Sequence, residues 1–133
     1  MKKLGLLGVG LVFTLDRALK LLALNKIIKM KKNTGLFFFE LSQPWLILLA
    51  GIVIAWLIFH LVKRWQYESK AMVIEYLLVI MGGLSNLFDR IVYGYVIDMI
   101  NFFSYSVFNI ADVMILSGCL LIIIKLFKSS YKG

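Results

Sequence analysis

Two aspartates carry the chemistry this sequence could do. Asp98 lies in GYVIDMI and Asp112 in VFNIADVMIL, each set among apolar residues. A close pair of carboxylates resists double ionisation, so one pKa rises and the pair shares a proton. The ionised member can then take a proton from water while the protonated member polarises a carbonyl. Such a pair hydrolyses an amide with no metal and no covalent intermediate. Because the two titrations would be coupled, acid and base roles belong to the pair and not to either residue. With one histidine, one cysteine and no CxxC pair, no metal or other cofactor is expected.

The other polar residues in apolar surroundings fall into short sets at helical spacing. Asp16 and Lys20 are four apart and can pair on one face. Asn86 stands three before Asp89 and four before Arg90, and Asn109 stands three before Asp112. Asn33 lies in a connecting segment. Each set also has a purely structural reading. Asn109 can cap a helix, and Asp112 in its first turn suits the positive end of the helix dipole. Lys20 and Arg90 suit negative helix ends in the same way. Asp98 has no such helix-end role. Glu75, His60 and Cys119 read as structural: an acid near a span end, an interfacial ring and a small packing residue.

These residues need elements to hold them. Of the 133 residues, 62% are hydrophobic, and the mean hydropathy is +0.91. Soluble domains are closer to half apolar, so this is membrane-protein composition. Four stretches approach the roughly 20 apolar residues that a spanning helix needs. They are residues 4–24, 45–62, 71–92 and 109–127. The first has a basic start but no small-x-small cleavage site after it, and is read as a retained span.

The net charge of +8 would suggest nucleic acid in a soluble chain. Here the lysines flank the apolar stretches, which points to membrane topology and anionic lipid instead. No nucleic-acid partner is expected. Lys2, Lys3, Lys63, Arg64, Lys70, Lys125, Lys128 and Lys132 fall on one side, against Lys26, Lys29, Lys31 and Lys32 on the other. That bias predicts cytoplasmic termini. Residues 25–44 and 93–108 then face outward, and their alternating aromatic and polar residues predict short strands or interfacial segments. All four aspartates gather toward that outward face. Ionisable residues within spans are costly and are candidates for function. The fold class expected is an all-α membrane protein: four transmembrane helices with a small extracytoplasmic β-containing segment, in one integral membrane domain over 1–133.

At this point several motifs resemble one family, the bacterial signal peptidase II or lipoprotein signal peptidases. DRALK (16–20) is similar to its D-x-x-x-K motif, NTGLFF (33–38) to N-x-G-x-x-F, and GGLSNLFDR (82–90) to a glycine-rich motif ending N-x-x-D-R. GYVIDMI (94–100) is similar to G-x-V-x-D-F, and FNIAD (108–112) matches F-N-x-A-D. The pattern departs at Ser85, where the family has glycine, and at Met99, where it has phenylalanine. The proline that usually precedes FN is also missing, with Ser106 and Val107 there. The chain is therefore identified as a compact or divergent member.

The resemblance implies an aspartic endopeptidase of the plasma membrane. It would remove signal peptides from diacylglyceryl-modified prolipoproteins on the N-terminal side of the lipid-modified cysteine. It further implies Asp98 and Asp112 as the catalytic dyad, with Asn86, Arg90 and Asn109 orienting the dyad and substrate. Asp16, Lys20 and Asn33 would support the site or contact substrate, and Asp89 would form a structural ion pair. A monomer among membrane lipids is expected, with its site near the extracytoplasmic face. Two other readings stay open. One is a small transporter or channel subunit, whose path would need polar residues at mid-membrane and an exit on both sides. The other is an inactive family member that kept the fold.

Overall fold

The computed structural model describes residues 2–35, 42–102 and 106–130. Four helices, α1 (Lys2–Leu24), α2 (Gln43–Arg64), α3 (Lys70–Tyr93) and α4 (Ile110–Ser130), make up most of the chain. Four short strands, β1 (Lys31–Asn33), β2 (Val96–Asp98), β3 (Ile100–Phe102) and β4 (Ser106–Phe108), lie between them. The 22 residues of α2 rise about 33 Å, close to the hydrocarbon thickness of a bilayer.

α2, α3 and α4 are long and apolar enough to cross a membrane. α1 is as long but carries Asp16, Arg17 and Lys20. Asp16 and Lys20 are fully buried against protein, while Leu4, Leu7, Leu11 and Leu15 face out. α1 thus completes a four-helix membrane architecture, its charges turned away from lipid. Much of the described surface inverts the soluble rule. Leu116 and Phe127 are 71% and 73% exposed, whereas Asp16, Lys20, Asp89 and Asn109 are at 0%. Apolar surface outside and paired charges inside is the arrangement a lipid solvent favours.

Local signals set the helix ends. α2 starts two residues before the apolar stretch, with Ser42 as its cap residue and Pro44 in the first turn, where its missing N–H is not needed. Ser69 caps α3 by accepting from the Met72 N–H at 3.2 Å. α3 ends at Gly94, whose φ of 77° closes the helix by donating to the Arg90 carbonyl at 3.1 Å. That left-handed turn favours glycine and sends the chain into β2.

α3 is the central helix and packs on the other three, most extensively on α4. Gly82 permits that closeness, because a Cβ there would sit 2.6 Å from the Ala111 carbonyl oxygen. The apolar core joins Ile54, Leu57 and Leu61 of α2 to Val73, Val79 and Ile80 in the first half of α3. Glu75 is buried nearby and ion-paired with Lys125 of α4. His60 stacks on Trp56 and meets the Tyr76 ring at a tilt.

The strands form two antiparallel pairs at the far end of α3. In β1–β2, Lys31 stands opposite Asp98 and Asn33 opposite Val96. In β3–β4, Ile100 stands opposite Phe108. A bond from the Met99 N–H to the Phe108 carbonyl, 3.2 Å, ties the end of β4 back to the residue after β2. This ladder delivers Asp98 to the first turn of α4.

Candidate active site

The site begins with the reciprocal cap of α4. The Asn109 side-chain oxygen accepts from the Asp112 N–H at 2.9 Å, and the Asp112 Oδ2 accepts from the Asn109 N–H at 3.1 Å. This is a capping box built from Asn and Asp. The structural reading of FNIAD is therefore correct, and it places a carboxylate at the helix mouth. Asp112 Oδ1 accepts from Asn86 Nδ2 of α3 at 2.7 Å.

Asp98 comes from β2 and is nearly wholly buried. Its Oδ1 accepts from Asn109 Nδ2 at 2.8 Å, and its Oδ2 accepts from Asn33 Nδ2 of β1 at 2.9 Å. Asn33 is itself oriented by the Gly35 N–H, which donates to its side-chain oxygen at 3.1 Å. Each of the four oxygens of Asp98 and Asp112 thus accepts one neutral N–H donor, and both carboxylates lie against Asn109. The Asn109 amide also donates to Asn86 Oδ1 at 3.1 Å and to the Ile97 carbonyl at 3.3 Å.

The two remaining aspartates have a different environment. Asp89 binds Arg17 Nη1 at 2.6 Å and Lys20 Nζ at 2.8 Å. Asp16 binds Lys20 at 3.1 Å, as its i,i+4 spacing predicts. Ser85 donates to Asp16 Oδ2 at 2.5 Å and accepts from Arg17 and Lys20 at 3.1 and 3.2 Å. Two acids and two bases balance, which is what allows charges at this depth. Asp16 Oδ1 also accepts from the Ala111 N–H at 2.9 Å, so α1 supplies a cap to α4. Asp89 Oδ2 lies 3.4 Å from the Ile97 N–H and so holds β2.

Lys20 connects the two groups. It donates to Asn86 Oδ1 at 2.9 Å, which turns the Asn86 amide nitrogen toward Asp112. Among the described residues no cation pairs directly with Asp98 or Asp112. At contact their charge is held by amide dipoles, with the charges of Arg90 and Lys20 acting from farther off. Asp98 is pushed up from 3.8 to about 6, first by burial, with the Asp112 charge adding to the rise and the Asn33 and Asn109 hydrogen bonds opposing it. A carboxyl that exchanges its proton near pH 6 beside a second acid has the properties a general acid–base pair needs.

The sequence-derived candidates fall into place unevenly. Asp98, Asp112, Asn33, Asn86 and Asn109 form one hydrogen-bonded set. Asp16 and Lys20 have no exposed surface to offer a substrate and act on the set from behind. Arg90, close enough to Asp112, Asp98 and Asp89 to interact with their charges, donates to the Gly35 carbonyl at 2.8 Å, fixing the segment after β1. Residues 36–38 of the NTGLFF stretch lie outside the described residues. Arg17 and Ser85 were missed by sequence reasoning. Their signal was present: Arg17 sits inside DRALK, and Ser85 stands four before Asp89 on the same helical face.

Comparison with known proteins bears on this geometry. Residues 9–128 match the family model described as signal peptidase (SPase) II. The chain is 34% identical over 120 residues to a lipoprotein signal peptidase of Streptococcus thermophilus, covering 80% of this chain and 78% of that one. It is 42% identical over 87 residues to a lipoprotein signal peptidase of Dichelobacter nodosus, covering 62% and 55%. Two solved structures, each described as a bacterial membrane enzyme, share the fold. One has a TM-score of 0.87 at 23% identity, covering 98% of this chain and 92% of the other. The second has a TM-score of 0.81 at 25% identity, covering 95% and 94%.

Proposed function

We propose, because the chain belongs to the signal peptidase II family, that it removes signal peptides from prolipoproteins within the membrane. Cleavage falls on the N-terminal side of the lipid-modified cysteine. The observation that carries the mechanism is the contrast between the aspartates: Asp16 and Asp89 are neutralised by Lys20 and Arg17, while Asp98 and Asp112 are held only by neutral donors. With Arg90 and Lys20 near but not in contact, these carboxylates keep more basicity than the ion-paired ones, and burial keeps a shared proton available near neutral pH.

In this reading a water molecule lies between Asp98 and Asp112. The ionised member of the pair takes its proton as the oxygen attacks the scissile carbonyl. The protonated member donates to the carbonyl oxygen, giving a tetrahedral diol. Its collapse passes a proton to the leaving amine, breaks the C–N bond and restores the singly protonated pair. Asn109 and Asn86 fix the two carboxylates, Asn33 holds the outer oxygen of Asp98, and Lys20 keeps Asn86 from flipping. Arg90 holds the segment that presents Asn33.

The chain acts as a single integral membrane domain with both termini cytoplasmic, a monomer whose site opens near the extracytoplasmic face. The apolar core of α2 and α3 in the opposite half supports a one-sided site over a transport path. The test is cleavage of a diacylglyceryl prolipoprotein in detergent or liposomes by wild type, Asp98→Asn and Asp112→Asn. Wild type cuts before the lipidated cysteine, and each folded variant loses at least about a hundredfold in rate, the range general acid–base groups contribute. A wild type inert on several such substrates would favour the inactive reading, and ion flux through liposomes would favour the transporter.

A further inference from the structure

The β1–β2 register puts one exposed cation over the site. Lys31 stands directly opposite Asp98 in the antiparallel pair, and directly opposed side chains share a face. Asn33, two residues along β1, leaves from the same face and reaches Asp98 Oδ2 at 2.9 Å. Lys31 is therefore on the Asp98 side of the ribbon, yet exposed. It makes no side-chain hydrogen bond or ion pair with a described residue. Lys32 leaves from the other face, with its Nζ 4.7 Å from the Tyr95 ring centroid. Lys26 and Lys29 are also exposed, and from Asn25 to Gly35 the chain has four lysines and no acid.

We propose that Lys31 is a specificity-determining residue that reads a carboxylate side chain in the substrate segment just after the lipid-modified cysteine. The inference rests on the peptidase reading above. A signal peptide enters the site from within the membrane, so the segment beyond the cleaved bond leaves outward. The exit runs beside Asp98, hence past Lys31, and Lys29 and Lys26 extend the positive field. A role in gripping anionic lipid would not require a lysine in register with Asp98. The interaction is solvent-exposed, so it is worth a few-fold in rate and weakens with salt.

The experiment uses two diacylglyceryl lipopeptides that differ only in the second to fourth residues after the lipidated cysteine, acidic in one and amide in the other. The readout is the ratio of their kcat/KM values for the full-length enzyme in zwitterionic detergent. With wild type the acidic substrate is favoured about three- to fivefold at low salt, and the ratio falls toward one at high salt. Lys31→Arg keeps the preference, Lys31→Gln removes it and Lys31→Glu inverts it. A wild-type ratio near one, or a ratio that Lys31→Glu leaves unchanged, overturns the proposal while the peptidase reading stands. Variants that lose rate equally on both substrates, and only in vesicles of anionic lipid, overturn it in favour of a lipid contact. If wild type cleaves neither substrate, the peptidase reading fails and the proposal with it.

Discussion

Replacing Asn33 by alanine isolates the tuning of Asp98. Asn33 is neither a helix cap nor part of the buried ion cluster, and it gives Asp98 Oδ2 one hydrogen bond of 2.9 Å. That bond stabilises the ionised carboxylate, against the burial that raises its pKa to about 6. Removing it raises the pKa further. A hydrogen bond to a charged group contributes about 1.5 kcal/mol at the lower end of its range, or roughly one pH unit. The alkaline limb of the kcat/KM profile, where the pair gives up its shared proton, should therefore move from about pH 6 to about pH 7. At pH 6.5 the protonated fraction, and the rate with it, rises roughly threefold, whereas at pH 5 both are nearly unchanged. Initial rates of prolipoprotein cleavage between about pH 5 and 9 measure this directly. A limb that stays in place, or a rate change equal at every pH, would refute the view that Asn33 acts through the Asp98 proton.

Three other perturbations test the architecture. Asp98 has a pKa of 3.8 when exposed and about 6 when folded, so ionisation within the fold costs stability as pH rises through that window. The stability of Asp98→Asn relative to wild type should thus improve by up to about 3 kcal/mol from pH 3.5 to pH 7, read from thermal or denaturant unfolding in detergent; an improvement on going down in pH would contradict the burial argument. Lys20→Met leaves Asp16 and Asp89 with Arg17 alone and should cost about 3–5 kcal/mol, seen as a large drop in thermal midpoint. An unchanged midpoint would mean the cluster holds less of the fold than its burial implies. Gly82→Ala drives a Cβ against the Ala111 carbonyl, 2.6 Å away. The variant should lose about 1–3 kcal/mol and much of its turnover, because Ala111 adjoins Asp112; full activity would show that α4 can shift without disturbing the dyad.

The four helices were legible because hydropathy and capping are local. Apolar runs of spanning length, Pro44 and Ser69 at helix starts and Gly94 at a helix end act within a turn or two of where they stand. The capping box of Asn109 and Asp112 and the Asp16–Lys20 pair were readable for the same reason, being three and four residues apart. The gathering of polar residues at one end of the bundle also follows from span order alone. What separates the four aspartates was not readable in this way. Arg17 meets Asp89 across 72 residues of chain, and the Asp16 carboxylate caps Ala111 across 95.

Composition and spacing alone therefore determined that this chain is a membrane helix bundle with a one-sided polar end, and motif resemblance marked Asp98 and Asp112 within it. Only the packing of α1 on α3, and of the β1–β2 ladder on the mouth of α4, decided which carboxylates meet a cation directly and which meet only amide donors. The reason is energetic. A buried charge takes its character from the nearest partner in space, and in this bundle those partners come from different helices.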